Sequence, residues 1–318
     1  MEYYTERISS SNFSAFLEIF KASFGKLSVD EQHFRFKFNT AYTGHNWLGF
    51  IAFQKETNEP AAFYGVFPTI ASIKGDQVIA AQSGDTATHP AHRGKGLFRL
   101  LHDRTMELCR LEGIAFVFGF PNEQSYPGFK KFHWSDRVSA LRLTRLVKVP
   151  MLIRAYRKFL PGSFCAYQKK HIRKHRLPHA EIEALERNRC LVGYSGQSVA
   201  IPRTLAYLEY KISLGSELLK FKSGVAWVAF QGNQLVIGDL FGVDPQKILE
   251  ELIQFTYETG YDVLIIVTSS ESIRELFVDQ NEFSLQHSNK LIINSLSSSI
   301  ADQDFAFTSG DHDVFGSA

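Results

Sequence analysis

The stretch Gly84-Asp-Thr-Ala-Thr-His-Pro-Ala-His-Arg-Gly-Lys-Gly-Leu-Phe98 constrains this chain more than any other. A β-type segment ends at His89-Pro90 and a basic, Gly-rich turn follows. Leu97, Leu100, Leu101, Leu108 and Leu111 then recur at helical spacing. Arg93-Gly-Lys-Gly96 therefore stands at a strand-to-helix junction. There the first backbone N–H groups of a helix lack an internal partner and the helix dipole is positive. Gly94 and Gly96 have no Cβ, so a phosphate can approach the main chain, with Arg93 and Lys95 adding charge. The turn reads either as a pyrophosphate cradle or as a plain surface turn. Its residue order fits neither the phosphate loop of nucleotide triphosphatases nor the Gly-x-Gly-x-x-Gly of dinucleotide-binding folds.

This strand, turn and helix resemble the GNAT superfamily of N-acetyltransferases, in which a His-Pro-x-x-Arg-Gly-x-Gly turn binds the pyrophosphate of acetyl-coenzyme A. The family turn Arg/Gln-x-x-Gly-x-Gly/Ala maps onto Arg93, Gly96 and Phe98, with Phe98 departing from the small final residue. A second stretch, Ala115 to Trp134, resembles the family's strand followed by Asn-x-x-Ala, a Tyr and Gly-Phe. Asn122, Ser125, Phe129, His133 and Trp134 fall at those places. The resemblance implies an α/β fold with a mixed sheet, the GNAT acyltransferase fold, and acetyl-CoA as the cosubstrate. It places the thioester and pantetheine along Thr86, Ala87 and Thr88, and the pyrophosphate at Arg93, Gly94, Lys95, Gly96, Leu97 and Phe98. Asn122 would lie near the pantetheine arm with Ser125 beside the cofactor, and Asn122 also reads as a helix cap after Pro121.

Acetyl transfer to an amine needs deprotonation of the amine, a hydrogen bond to the thioester carbonyl and a proton for the departing thiolate. Many family members carry Tyr where this chain has Phe129, which cannot donate a proton. Tyr126, about one helical turn earlier, is the nearest replacement, or else an aromatic packing residue. Asp85 on the cofactor strand and Glu123 after Asn122 are the candidate bases, Glu123 reading more naturally as a solvated or capping acid. His89 and His92 occupy turn positions and read as structural. No metal is expected. Asp311-His312-Asp313 are consecutive and do not converge on one ion, and His171, His175 and His179 read as part of a basic face, broken by Pro178. Cys109 lies among Leu108 and Leu111 as a core thiol.

Three parts are expected along the 318 residues: an acetyl-CoA-binding domain over 1–145, basic amphipathic helices over 146–189, and a degenerate GNAT-like domain over 190–318. In the first, Ser10, Ser11 and Asn12 read as caps before a helix, and Gly75-Asp76 as a hairpin turn. In the last, strands 224–231 and 234–241, a helix 245–259 and a strand 263–268 repeat the family order. Asp239-Leu-Phe-Gly-Val-Asp-Pro245 lacks the Arg-Gly-x-Gly turn, so no cofactor is expected there. The middle part has no acid between Asp136 and Glu181 while Lys and Arg accumulate. It reads as an interdomain helix with snorkelling side chains, or as a contact with an anionic membrane or RNA phosphate.

A formal charge of +2 gives no reason to expect DNA, and RNA is the less expected partner. Three cysteines without a Cys-x-x-Cys pair, no signal-peptide pattern at the start and no bilayer-length apolar run suit reduced thiols and a cytoplasmic protein. The expected activity is acetyl transfer to a small-molecule primary amine by direct attack, with an amino sugar preferred as acceptor. An aminoacyl-tRNA-dependent transferase and a non-catalytic CoA-binding module are the alternatives. The acceptor, the acyl length and the oligomeric state are not fixed by the sequence.

Overall fold

A computed structural model describes residues 2–25, 31–186, 190–191, 199–278, 282–297, 300, 303–312 and 315. The chain divides into two compact units, Met1–Arg137 with Asn289–Gln303, and Val138–Ser288 with Asp304–Ala318.

In unit 1, β1 (Tyr3–Arg7) pairs antiparallel with β2 (Leu48–Gln54), β2 with β3 (Pro60–Ile73), and β3 with β4 (Asp76–Thr88). Lys74 and Gly75, both at positive φ, close the β3–β4 hairpin, one residue earlier than the expected Gly75-Asp76. β5 (Phe116–Gly119) joins β4 in parallel through α3 (Leu97–Leu111). Residues Ile292–Ser295 of β12 (Ser284–Ser295) pair antiparallel with β5, so a strand from far along the chain completes this sheet.

Helices cover both faces, because β3 is buried along almost its whole length. On one side α1 (Phe13–Phe24) and α2 (Glu31–Phe38) set Phe13, Phe16, Phe34 and Phe38 against Phe63 and Phe67. On the other, α3 sets Leu97, Leu101, Met106 and Cys109 against Tyr64, Val117 and Trp134. Cys109 is the core thiol expected, with burial pushing it up to about 12. One cap differs from expectation. Asn12 stands at the N-cap of α1, but its Oδ1 accepts from Ser9 N–H, at 2.8 Å, and not from the helix.

Unit 2 holds β6 (Ser135–Leu146) from Val138 onward, α5 (Met151–Phe159) and α6 (Pro161–His175). Its sheet then runs β6–β11–β10–β9–β8, with β8 (Glu217–Lys220), β9 (Val225–Gln231), β10 (Gln234–Phe241) and β11 (Val263–Thr268). The short strands β7 (Val199–Ala200) and β13 (Phe305–Ala306) pair in parallel. The helix Pro245–Thr259 links β10 to β11. Asp244 caps it by accepting from Lys247 N–H, Pro245 opens it, and Gly260 at φ +76° closes it.

Candidate active site

The β4–β5 pairing is short. Only Ala80–Gln82 meet Phe116–Phe118, after which β4 runs on to Thr88 without a β5 partner. A β-bulge marks the departure. Asp85 and Thr86 stand opposite the single residue Tyr64, and Asp85 has φ +54°. The two strands therefore splay, and the backbone of residues 84–88 faces an opening instead of a neighbour. That is the segment the sequence assigned to the thioester. Within it Thr86 Oγ1 is buried without a hydrogen-bond partner, as is Gln82 Nε2 at the last paired position.

Past Thr88 the chain runs through Pro90–His92 into the glycine turn. Gly94 and Gly96 both have φ +76°, and a Cβ at either would meet nothing within 4 Å. Gly96 is the N-cap of α3, brings no side-chain cap, and is followed by a first turn without acids. The first N–H groups of α3 thus have no side-chain cap, with a positive dipole behind them. Arg93 Nε donates to Thr88 O at 3.4 Å, and Lys95 lies over the Tyr3 ring and 3.4 Å from Glu2. His89 and His92 are structural here. His89 Nδ1 accepts from Ala91 N–H, and the buried His92 ring is 2.9 Å from Tyr3 Oη. Burial, then the charge of Lys95, lowers the His92 pKa. The donor set suits a pyrophosphate and an extended thioester: backbone groups, two basic side chains, and no Cβ in the way.

The catalytic candidates stand in different surroundings. Asp85 Oδ2 is 2.7 Å from Lys37 Nζ on α2, with the side chains only 11% and 4% exposed. A buried ammonium at that distance favours the carboxylate. Lys37 also lies over the Phe67 ring. Glu123 is exposed. Asn122 Oδ1 accepts from Gln124 N–H at 3.1 Å and Ser125 N–H at 2.9 Å and so closes the turn ahead of the next helix, whose own N-cap, Ser125, makes no side-chain cap bond. Phe129 is buried against Phe98 and Trp134.

Tyr126 opens α4 (Tyr126–Lys131) and belongs to a polar cluster. Its hydroxyl donates to Asp136 Oδ2 at 2.7 Å and accepts from Lys290 Nζ at 3.3 Å. Asp136 also pairs with Lys290 and Lys130, each at 3.1 Å. Burial alone would raise Asp136, but the bonds from Tyr126, Lys290 and Lys130 outweigh it and lower its pKa. Hydrogen bonds to Tyr126 and Asp136 raise that of Lys290. Ile292 lies opposite Gly119, so Lys290 extends past the C-terminal end of β5, where the strands diverge. The sequence reading missed Lys290 and Asp136, because no local pattern announces that β12 returns to β5.

A family model described as the acetyltransferase (GNAT) domain matches residues 5–136. Over those residues the chain is similar to the GNAT acetyltransferase domain, a family that binds an acyl-CoA as cosubstrate. No curated protein matches the chain. Among solved structures, a GCN5-related N-acetyltransferase from Kribbella flavida has TM-score 0.60 at 13% identity, over 92% of this chain and 72% of that one. A probable N-acyltransferase from Enterococcus faecalis has TM-score 0.62 at 12% identity, over 93% and 73%. The Saccharomyces cerevisiae N-myristoyltransferase, solved with bound myristoyl-CoA, has TM-score 0.58 at 10% identity, over 93% and 79%. At these identities the likeness is one of fold, and it extends beyond the matched GNAT domain.

Unit 2 runs hairpin, helix and strand in that order, and its strands also splay. β10 pairs β11 only over Gln234–Val236, and the β9–β10 register shifts between Ile237 and Asp239. Here the chain itself fills the space. Thr308 bridges Thr268 and donates to Gly238 O, while Ser309 Oγ accepts from Val267 N–H at 2.7 Å. Arg203, 2% exposed, pairs with Asp239 at 2.8 Å and with Asp311. The tail that the sequence reads as a tight turn of two acids and an imidazole lies in this filled space. Asp311 is a buried ion-pair partner, the His312 carbonyl accepts from Lys211 Nζ at 2.6 Å, and Asp313 lies outside the described residues. His175, half-buried, packs its ring on Phe221 and Phe255. Among the described residues no group of three His, Cys, Asp or Glu could hold a metal, and no helix is long and apolar enough to cross a membrane.

Proposed function

We propose that this chain transfers an acetyl group from acetyl-CoA to a small-molecule primary amine by direct attack. The observation that carries this reading is the splay of β4 from β5 at the Asp85–Thr86 bulge, leading into the Gly94 and Gly96 turn. Acetyl-CoA supplies the activated carbonyl and a thiolate leaving group. The backbone of Thr86, Ala87 and Thr88 orients the thioester and polarises its carbonyl. Arg93, Lys95 and the N–H groups of Gly94, Gly96, Leu97 and Phe98 hold the pyrophosphate. Asn122 and Ser125 line the pantetheine side at the start of α4.

Asp85, paired with Lys37, takes the proton that the attacking amine loses as the new C–N bond forms and the C–S bond breaks, and Glu123 is the second candidate base. Tyr126 gives its proton to the departing sulfur after leaving Asp136. The hydrogen bond from Lys290 to the phenol oxygen then stabilises the phenolate. An amino sugar, free or nucleotide-linked, is the first acceptor class to try, by analogy with tandem proteins of this fold. The test is acetyl-CoA consumption over a panel of amino sugars, polyamines and amino acids, with palmitoyl-CoA as a parallel donor. Turnover with acetyl-CoA and an amine supports the reading. Cofactor binding without turnover on any amine contradicts it, and turnover only with the long-chain donor moves the assignment to another acyl group.

A further inference from the structure

The helix α5 has two apolar faces. Its inner face is anchored in unit 2: Ile153 packs against the core cluster, Tyr156 meets the Phe164 and Tyr167 rings, and Arg157 pairs with Asp262 at 2.9 Å. Its outer face carries Met151, Leu152 and Phe159, exposed by 83%, 84% and 72%, with Ala155 between them. At helical spacing these residues span roughly 100° of the helix surface. Leu160 at the α5–α6 corner is exposed as well.

The flanks of this stripe are basic. Lys148, Arg154 and Lys158 are exposed beside it, and Lys169, Lys170, Arg173 and Lys174 are exposed along α6. The sequence between Asp136 and Glu181 contains no acid to offset them. A helix with one anchored face, a second exposed apolar stripe and a cationic border has the chemistry of an interfacial helix.

We propose that the outer face of α5, with the α5–α6 corner, docks this protein on an anionic lipid surface. Met151, Leu152, Phe159 and Leu160 enter the headgroup–acyl boundary, while Arg154, Lys158 and the α6 lysines meet lipid phosphates. Charge decides between occupants. A second copy of this face would set like charges against each other. RNA phosphate would use the cations but leave the aliphatic side chains unburied.

The test is co-sedimentation of the full chain with vesicles of phosphatidylglycerol and phosphatidylcholine, against pure phosphatidylcholine, at low and raised salt. Binding is expected to the anionic vesicles alone and to weaken with salt. The exposed double substitutions Met151→Asp with Leu152→Asp, and Arg154→Glu with Lys158→Glu, should each reduce it by roughly tenfold or more while leaving the circular dichroism spectrum unchanged. Absence of sedimentation with anionic vesicles overturns the proposal, as does sedimentation that neither variant reduces. A shift of RNA mobility without vesicle binding, or self-association lost in the Asp variant, assigns the face to another occupant.

Discussion

At the scale of single residues, two positions matter most. Gly94 sits at φ +76° over open space, at the proposed pyrophosphate contact. Gly94→Asp adds a carboxylate facing the pyrophosphate and a mild left-handed strain of about 1–2 kcal/mol. It should lower acetyl-CoA affinity at least about tenfold, read by calorimetric titration, with the domain still folded. Tyr126 is the other. Tyr126→Phe keeps the ring beside Lys290 but removes the hydroxyl held by Asp136. If that hydroxyl protonates the thiolate, kcat should fall by roughly 10²–10⁴ with KM for acetyl-CoA almost unchanged. An unchanged kcat would return Tyr126 to packing.

At the scale of elements, α3 and Trp134, just before β6, are joined by a buried hydrogen bond with a pH consequence. Trp134 Nε1 donates to His102 Nε2 at 2.9 Å, so the His102 proton resides on Nδ1, which faces Asp103 Oδ1 at 2.9 Å. Burial lowers the His102 pKa from its ordinary value. The unfolded chain therefore binds this proton more readily than the folded one. The contribution is fully present above about pH 6.5 and is lost as pH falls through the lower folded value. Urea midpoints should drop on acidification below that point, and His102→Asn should flatten the drop. An identical slope in the variant would contradict the assignment.

These elements also show what the sequence could and could not reveal. The helix Pro245–Thr259 was legible because Asp244, Pro245 and Gly260 punctuate it locally. The Arg93-Gly-Lys-Gly96 turn was legible because glycine has a local cause there. β1 was not, since Tyr-Tyr-Thr-Glu-Arg has no apolar alternation. Lys37 against Asp85, and Lys290 against Tyr126, depend on pairings distant in sequence, which periodicity does not encode.

At the scale of the whole molecule, the two units treat the same strand divergence differently. Unit 1 leaves the divergence open above Gly96, whereas unit 2 closes it with Thr308–Asp311 and the buried Arg203. Burial raises the Asp239 pKa despite Arg203, and the paired carboxylates hold Arg203 charged. Arg203→Met would strand Asp239 and Asp311 in the core and should cost about 3–5 kcal/mol, read as a lowered denaturant midpoint. The central claim is that unit 1 is an open acyl-CoA site. Thermal unfolding with acetyl-CoA, free CoA and 3′-dephospho-CoA tests it most directly. Stabilisation of about 2.7 kcal/mol is expected at about a hundredfold excess over Kd, absent in Gly94→Asp. No shift at millimolar ligand, or an equal shift in Gly94→Asp, would contradict it.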